Sequence, residues 1–334
     1  MTVDREFLKR FTEAPSVGTA CAPALHLIKH RFGDDYNTTR VDDGFWLFQK
    51  KGAGPEALRA VFVAHVDEVG GCVYGRDTSE RTQPYFGDLP AYASRCWGNV
   101  PRIFADAKLQ AFDYLAEDAS GVFPISGAAI WAYGEERLVV ASSDPTAIRP
   151  YRTVFTFDTE TTFNGDYIEG KALDPRITTW AVVDAVRRLN SPHVAAMIVM
   201  AEECAMDVAR KGVAFLQRHS PDLKLVVNAD VPAVVNLGDA QLDLPAIRVF
   251  EGRNFIDPSF GIRTAERLIN KGVKLHLTAA RSGSQTLLFT PLANTISVAL
   301  PSDRVHISKY RMSLTGAERC VDLLEAIGKD SLGM

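Results

Sequence analysis

The most constraining feature of the sequence is an apolar run, residues 194–200, that leads through one alanine into two adjacent carboxylates, Glu202 and Glu203. A continuous apolar run of this length predicts a strand that is buried on both faces, as in a parallel sheet. Two neighbouring carboxylates at its end repel each other and are costly to remove from water. We therefore interpret the pair as functional, with one carboxylate binding a metal ion and the other transferring protons.

Other potential ligands stand at or just after the ends of further apolar runs. These are His65, Asp230 and His306. In open α/β sheets, ligands bind at the carboxyl ends of the strands, so these side chains are expected to converge on one edge. Asp174, just before a predicted helix, can join them. The combined set is rich enough for two metal ions that share a bridging carboxylate.

The segment after the predicted strand 58–64 offers two interpretations. His65 and Asp67 share one strand face, because side chains alternate with period two. A metal-binding imidazole is commonly oriented by a carboxylate beside it. The equally weighted alternative is a strand that simply turns polar at its end. A second histidine pair, His26 and His30, lacks the Glu of the helical zinc motif and is expected on a solvated helix face.

Residues 72–165 differ in amino-acid composition from the rest of the chain. They contain Pro, Gly and aromatic clusters but no histidine, which predicts an inserted, mainly β second domain. Within it, strands at 128–133 and 137–141 are predicted to form a hairpin, and a helix is expected over 103–117. Residues 1–71 and 166–334 are expected to form the catalytic domain, an α/β fold whose central, mostly parallel sheet is flanked by helices. Predicted helices there span 5–11, 22–32, 177–189, 208–219, 259–271 and 313–327.

Charge and composition exclude several classes of function. The net charge of −4 and the pI near 6.0 provide no basic footprint for nucleic acid. No apolar run approaches the roughly 18 residues that cross a bilayer, and the first residues lack the features of a signal peptide. The five scattered cysteines form no Cys-x-x-Cys pair, which argues against disulfides or a structural zinc site. A cytoplasmic protein without membrane or nucleic-acid partners is expected.

The same residues carry a family resemblance. The motifs His65-Val66-Asp67-Glu68-Val69-Gly70 and Leu173-Asp174-Pro175-Arg176, in that order, are specific together. Further matching segments are Phe11 to Pro15, Ala201 to Glu203, Ala229 to Pro232, Val305-His306 and Ser313-Leu314. The chain resembles the dinuclear metallo-aminopeptidases that assemble as tetrahedral particles, the group of glutamyl and deblocking aminopeptidases. Some members of that group are labelled cellulase M. The inserted domain matches poorly.

The resemblance implies a role for each site residue. It places one metal ion on His65 and Asp230, the other on Glu203 and His306, and Asp174 as the bridge. Asp67 would orient His65, and Glu202 would be the general base that takes a proton from water and returns it to the leaving amine. Two divalent ions per subunit are implied, with zinc expected first and cobalt or manganese as alternatives. Peptide substrates and a homo-oligomer between a dimer and a dodecamer are expected.

Three departures from the family pattern concern substrate choice and geometry. Residues 281–285 replace the family's Gly-Gly-Thr-Asp, and Cys204-Ala205-Met206 replaces Val-Gly-Leu. Pro175 stands where the family has Asp or Asn. In the family an unusual cis bond follows the bridging Asp, and proline lowers the cost of that isomer, so a cis Asp174–Pro175 bond is expected. The alternative is a trans proline in the first turn of the helix.

The main functional hypothesis is a metal-dependent aminopeptidase that removes N-terminal residues from peptides. A related amidohydrolase acting on a non-peptide acyl-amine is the second hypothesis. The third is a catalytically inactive oligomeric binding protein of the same fold. The residues do not favour cellulose hydrolysis over amide hydrolysis.

Overall fold

The computed structural model describes residues 3–41, 43–86, 89–97, 101–105, 107–132, 135–236, 241–252 and 254–333. The helices are α1 Arg5–Glu13, α2 Ala22–Phe32, α3 Gln83–Phe86, α4 Pro101–Ala105, α5 Leu173–Leu189, α6 Ala209–His219, α7 Pro258–Asn270, α8 Thr286–Phe289 and α9 Leu314–Leu332. The strands are β1 Tyr36–Val41, β2 Phe45–Lys50, β3 Ala60–His65, β4 Gly70–Asp77, β5 Ala91–Trp97, β6 Leu109–Asp113, β7 Phe123–Ala132, β8 Glu135–Ala141, β9 Thr153–Phe157, β10 Thr162–Asn164, β11 Tyr167–Gly170, β12 Val194–Val199, β13 Leu225–Asp230, β14 Ala246–Glu251, β15 Asn254–Phe255, β16 His276–Ala280, β17 Asn294–Ala299 and β18 Tyr310–Ser313.

A mixed sheet forms the centre of the molecule. Its strand order is β1-β2-β12-β3-β13-β17-β14-β15, with β16 also paired to β14. The four strands β12, β3, β13 and β17 are mutually parallel, whereas β2 and β14 join them antiparallel. The predicted α/β fold with a central sheet is therefore confirmed. The parallel part is its middle, where all six residues of β3 and of β12 are buried.

Helices cover both faces of this sheet. Alternate strand residues such as Phe62 and Ile198 pack on one side with α1, α2, α5 and α9, and Val61 and Met197 pack on the other with α6. Helix α5 lies against β3, β12 and β13 beneath α9, which explains why nearly all its residues are buried. A strand whose sequence is apolar throughout is thus a strand that helices cover on both faces.

The inserted residues form a separate β domain. Strands β4-β5-β8-β7-β6-β9 close into a six-stranded barrel around a core that includes Phe104, Leu138 and Phe155. The start of β4 packs closely against β9, because a β-carbon at Gly70 would collide with the carbonyl oxygen of Phe155. The inserted, mainly β domain is thereby confirmed, while its boundaries at 72 and 165 stay predictions. The barrel strands run from Gly70 to Phe157.

Two local predictions within this domain had different outcomes. The predicted hairpin is confirmed, since β7 and β8 pair antiparallel with Ala132 opposite Glu135. Its turn residues 133 and 134 lie outside the described part of the chain. The prediction of a single helix over 103–117 is wrong. Helix α4 ends at Ala105, and Leu109–Asp113 is β6, which pairs with β7 and β9. Barrel closure, a long-range effect, overrides the apolar spacing there.

Elsewhere, each helix predicted for the catalytic domain is present within a few residues of its expected bounds. The strand expected at 274–278 lies two residues later, at β16. A small sheet, β10-β11-β18, pairs the segment after the barrel with the strand that begins four residues after His306. Among the described helices, none has both the length and the apolar character needed to span a bilayer.

Candidate metal centre

The candidate centre lies at the carboxyl edge of the central sheet. His65 ends β3, Asp230 ends β13, and the acidic pair Glu202–Glu203 follows β12. These three strands are neighbours in the sheet, so their ends meet at one edge. His306 comes from the loop between β17 and β18, and Asp174 lies in the first turn of α5.

Left-handed backbone conformations turn the chain at three points around this edge. Ala172 (φ 52°), Ala201 (φ 63°) and His306 (φ 61°) are three of the seven non-glycine residues with positive φ in the described ranges. Such conformations are uncommon for residues with a β-carbon and cluster at functional sites. Ala201 directly precedes the acidic pair, so its conformation ends β12 and turns the two carboxylates toward the sheet edge.

The side chains converge as two groups that share Asp174. In the first group, His65 Nε2 lies 3.5 Å from Asp174 Oδ1 and 3.5 Å from Asp230 Oδ1. In the second, His306 Nε2 lies 3.4 Å from Asp174 Oδ2 and 3.0 Å from Glu203 Oε1. Asp174 therefore presents one carboxylate oxygen to each group. All seven residues that the sequence singled out lie at this one place.

The donor chemistry fits divalent metal ions. The ligand atoms of each group lie within 4.8 Å of one another. Imidazole nitrogens combined with carboxylate oxygens are the donors that zinc and similar borderline metals accept. Asp174 Oδ1 is buried and has no hydrogen-bond partner, an arrangement that is costly unless another group satisfies it. The centre can thus hold metal ions on either side of Asp174.

Asp67 links His65 to the acidic turn, the turn after β12 that carries Glu202 and Glu203. Its two oxygens accept hydrogen bonds from the backbone N–H groups of Glu202 (2.9 Å) and Glu203 (3.1 Å). Asp67 Oδ1 also lies 3.3 Å from His65 Nδ1, and both side chains are buried. A carboxylate at Nδ1 leaves Nε2 of the imidazole facing the centre, which favours the orienting role over a strand that merely turns polar.

The electrostatics of the centre without metal are dominated by burial and by crowding of carboxylates. Burial acts to lower the pKa of His306, but its contacts with Asp174 and Glu203 outweigh burial and raise that pKa to about 11. The pKa of His65 is likewise well above its ordinary value, because the surrounding carboxylates outweigh burial. Without a metal ion, these contacts favour the protonated form of both imidazoles, whereas metal binding requires the neutral form.

The two acids of the pair differ in their surroundings. Burial raises the pKa of Glu203 to about 6, with the contact to His306 opposing the rise. Burial raises the pKa of Glu202 well above its ordinary range, and the neighbouring carboxylates Asp230 and Glu203 add to it. His65 opposes this rise, with its Nε2 at 3.9 Å from Glu202 Oε2. Glu203 belongs to one of the two candidate ligand groups, and Glu202 belongs to neither.

The peptide bond between Asp174 and Pro175 is cis, as predicted. The backbone N–H of Asp174 donates a hydrogen bond to Tyr310 Oη at 2.6 Å. Two residues further, the buried Arg176 donates to the carbonyl oxygens of Val66 (2.9 Å) and Ala14 (3.0 Å). The start of α5 is thus attached to the segment beside His65.

A buried charged cluster supports the centre and was not recognised from the sequence. Lys171 Nζ lies 3.0 Å from Glu68 Oε1, and Arg176 Nη2 lies 3.8 Å from the same oxygen. All three side chains are at most 2% exposed. Glu68 and Arg176 belong to the two motifs quoted above, and Lys171 stands two residues before the second motif, so the signal was a charged residue close to a candidate ligand.

The other histidine pair lies outside the centre. His26 and His30 are exposed on α2, and His26 Nε2 contacts Glu117 Oε2 at 3.0 Å. The expectation of a solvated helix face is confirmed. The departure at 281–285 is partly structural, since Ser284 and Gln285 are buried and bonded to Glu251 and Asn228.

The fold is similar to that of solved structures named TET aminopeptidase or TET1 peptidase and of others named peptidase/endoglucanase or endoglucanase. The TET1 peptidase of Pyrococcus horikoshii aligns over 97% of this chain and 98% of its own, at 21% identity and a TM-score of 0.76. A TET aminopeptidase from a marine sediment archaeon of the Thaumarchaeota aligns over 97% and 95%, at 14% identity and a TM-score of 0.78.

An endoglucanase from Thermotoga maritima aligns over 96% of both chains, at 16% identity and a TM-score of 0.65. The family resemblance noted from the motifs is confirmed as a likeness of fold over almost the whole chain. Neither a protein-family model nor a curated protein sequence matches this chain.

Proposed function

We propose that this protein is a metal-dependent aminopeptidase that uses two divalent ions. The observation that carries the proposal is the shared position of Asp174 between two His-carboxylate groups, with Glu202 beside them and outside both. The likeness of fold to aminopeptidases adds support.

In this proposal, His65 and Asp230 would hold one ion, Glu203 and His306 would hold the other, and Asp174 would be shared by the two groups. The bound ions would lower the pKa of a water molecule and polarise the scissile carbonyl. Zinc is expected first because of the nitrogen and carboxylate donors, with cobalt and manganese as alternatives. Asp67 keeps the His65 ring in place and the acidic turn closed.

Glu202 is the proposed general base and acid. A carboxylate whose pKa is raised by burial accepts a proton near neutral pH more readily than an exposed one and can release it later. It would take the proton of the attacking water and return it to the leaving amine. Its carboxylate is turned to the sheet edge by the left-handed Ala201 and held there through the backbone bond to Asp67.

We propose that the free N-terminus of the peptide sits against the two ions. Four carboxylates, Asp174, Glu202, Glu203 and Asp230, face two imidazoles, and two divalent ions would balance their charge. A neutral α-amine could then contact an ion, whereas an acylated N-terminus lacks the free lone pair to do so. An exopeptidase acting on free amino termini is therefore expected.

The function is tested by loading metal-free protein separately with zinc, cobalt and manganese and screening aminoacyl-anilides. Each substrate is paired with its N-acetylated form, and carboxymethylcellulose serves as the polysaccharide control. We expect cleavage of the free forms alone. Equal cleavage of acylated amines would instead support the amidohydrolase hypothesis. Binding of two ions without hydrolysis of any compound would support an inactive binding protein.

We also propose that the subunits assemble through the inserted β domain. Trp131 and Tyr151 on this domain are 68% and 74% exposed, and large aromatic side chains are enriched at protein–protein interfaces. The similar structures include one described as a dodecamer and one described as a tetrahedron or octahedral shell. Light scattering at micromolar concentration should give a mass above that of one subunit. A monomer would contradict the proposal.

A further inference from the structure

A buried arginine lies directly behind one of the candidate ligands. Arg248 is on β14, opposite Ser297 of β17, and its side chain has no exposed area. Its Nη1 and Nη2 atoms lie 3.3 Å and 3.4 Å from the same oxygen of Asp230, Oδ2. The other oxygen, Oδ1, lies 3.5 Å from His65 Nε2, on the side of the centre. The two oxygens of Asp230 therefore have different partners.

The orientation of Arg248 is itself fixed by a second buried network. Its Nε lies 2.7 Å from Ser297 Oγ and 2.9 Å from Glu251 Oε1. Glu251, fully buried, also accepts hydrogen bonds from Ser284 N (3.0 Å) and Ser297 Oγ (2.5 Å). The guanidinium cannot rotate away from Asp230 without breaking these bonds. The segment 281–285, where the chain departs from the family motif, is part of this network through Ser284.

We propose that Arg248 is a positioning residue that makes Asp230 a one-oxygen metal ligand. The inference rests on the proposed function. By occupying Oδ2, the guanidinium would leave Oδ1 as the oxygen available to an ion on the His65 side and would disfavour binding through both oxygens. Arg248 contacts Asp230, which belongs to the His65 group and not to the His306 group, so its loss should affect the ion on the His65 side.

The test must separate positioning from charge. Arg248→Met alone leaves Asp230 and Glu251 uncompensated, and the extra negative charge would attract a cation. The double variant Arg248→Met/Glu251→Gln removes one charge of each sign and keeps the local sum constant. Arg31→Met/Asp184→Asn is the matched control. Arg31 donates hydrogen bonds of 2.8 Å and 2.9 Å to the buried Asp184, and this pair lies outside the centre.

Each double variant is introduced into two backgrounds and titrated with zinc by calorimetry. In Glu203→Gln, the His65 side is the remaining binding site; in His65→Ala, the His306 side remains. Loss of an outer partner of a ligand typically weakens metal affinity 10–100-fold. We expect such a loss for Arg248→Met/Glu251→Gln in the Glu203→Gln background only, with a changed absorption spectrum of bound cobalt. Circular dichroism establishes that each variant is folded.

The outcomes separate the two proposals. Unchanged or tighter zinc binding on the His65 side of the folded Arg248→Met/Glu251→Gln variant overturns the positioning role and leaves the proposed function standing. An equal loss in both backgrounds overturns it as well, because the effect would then be structural. If the wild-type chain binds no divalent ion, both proposals fail together.

Discussion

The backbone N–H of Glu202 donates a hydrogen bond of 2.9 Å to Oδ1 of Asp67, a residue two positions after the end of the neighbouring strand. This bond links the acidic turn after β12 to the end of β3. The same oxygen lies 3.3 Å from His65 Nδ1. One buried carboxylate therefore sets the position of a candidate ligand and of the candidate general base together.

Replacing Asp67 by Asn should impair the centre without removing a ligand. The amide can present only one oxygen, so its NH2 group faces an N–H donor of the turn and a hydrogen bond is lost. We expect zinc affinity on the His65 side and turnover each to fall about 10–100-fold. Asp166→Asn, which alters a carboxylate that accepts bonds from Ser313 and Thr315, is the control. Wild-type affinity and turnover in Asp67→Asn would contradict the orienting role.

Glu202→Gln should separate catalysis from metal binding. The amide cannot take up a proton, so turnover should fall at least about 100-fold, the usual scale for a general base. Both ions should remain bound, because Glu202 stands outside the two ligand groups. The matched variant Glu203→Gln should lose affinity for the ion on the His306 side. Metal analysis beside steady-state kinetics distinguishes the two, and near-normal turnover in Glu202→Gln rules out the assignment.

Metal binding should release protons and strengthen as pH rises. In the metal-free centre, the contacts with Asp174 and Glu203 hold the pKa of His306 at about 11, so its ring is protonated at neutral pH. A metal ion needs the neutral ring, and protons compete less as their concentration falls. Between pH 6 and 8, affinity should rise about tenfold per pH unit for each proton displaced.

Calorimetry in buffers of different protonation enthalpy counts the released protons. His30→Gln changes an exposed histidine outside the centre and should leave the count unchanged. An affinity that does not vary with pH would show that the imidazoles are already neutral before binding.

The sequence predicted the core strands and the members of the candidate centre because both leave local signals. Strands β3 and β12 are buried on both faces and read as unbroken apolar runs. In α/β folds, ligands bind where the carboxyl ends of the strands meet. This general rule places His65 and Glu203 together at one sheet edge. Strand β1 gave no such signal, since its half-exposed face carries polar residues.

The supporting residues could not be predicted for a physical reason. Arg248 contacts Asp230 and Ser297 across two neighbouring strands, and this depends on sheet order and register. A charged residue within an apolar strand indicates that a partner exists but not which one. The error over 103–117 has the same origin, because β6 is formed by pairing with β9, whose residues lie 40 to 48 positions away from their partners.

The pair Lys171–Glu68 gives the last prediction, on stability. Both side chains are buried, and burial lowers the pKa of Lys171 while Glu68 opposes the shift. Removing one partner of a buried pair leaves an uncompensated charge, so Lys171→Met should lower the free energy of unfolding by about 3–5 kcal/mol. The nearby Arg176, 3.8 Å from Glu68, favours the lower end of that range.

Adding Glu68→Gln removes the orphaned charge, and the double variant Lys171→Met/Glu68→Gln should regain at least half of the loss. Lys271→Met removes an exposed partner of Asp330, which Arg267 also contacts at 2.8 Å, and should change the free energy of unfolding far less. Urea unfolding of the metal-free proteins measures all of these values. If the single and double variants are equally destabilised, the loss comes from packing around Lys171 and not from the unpaired carboxylate.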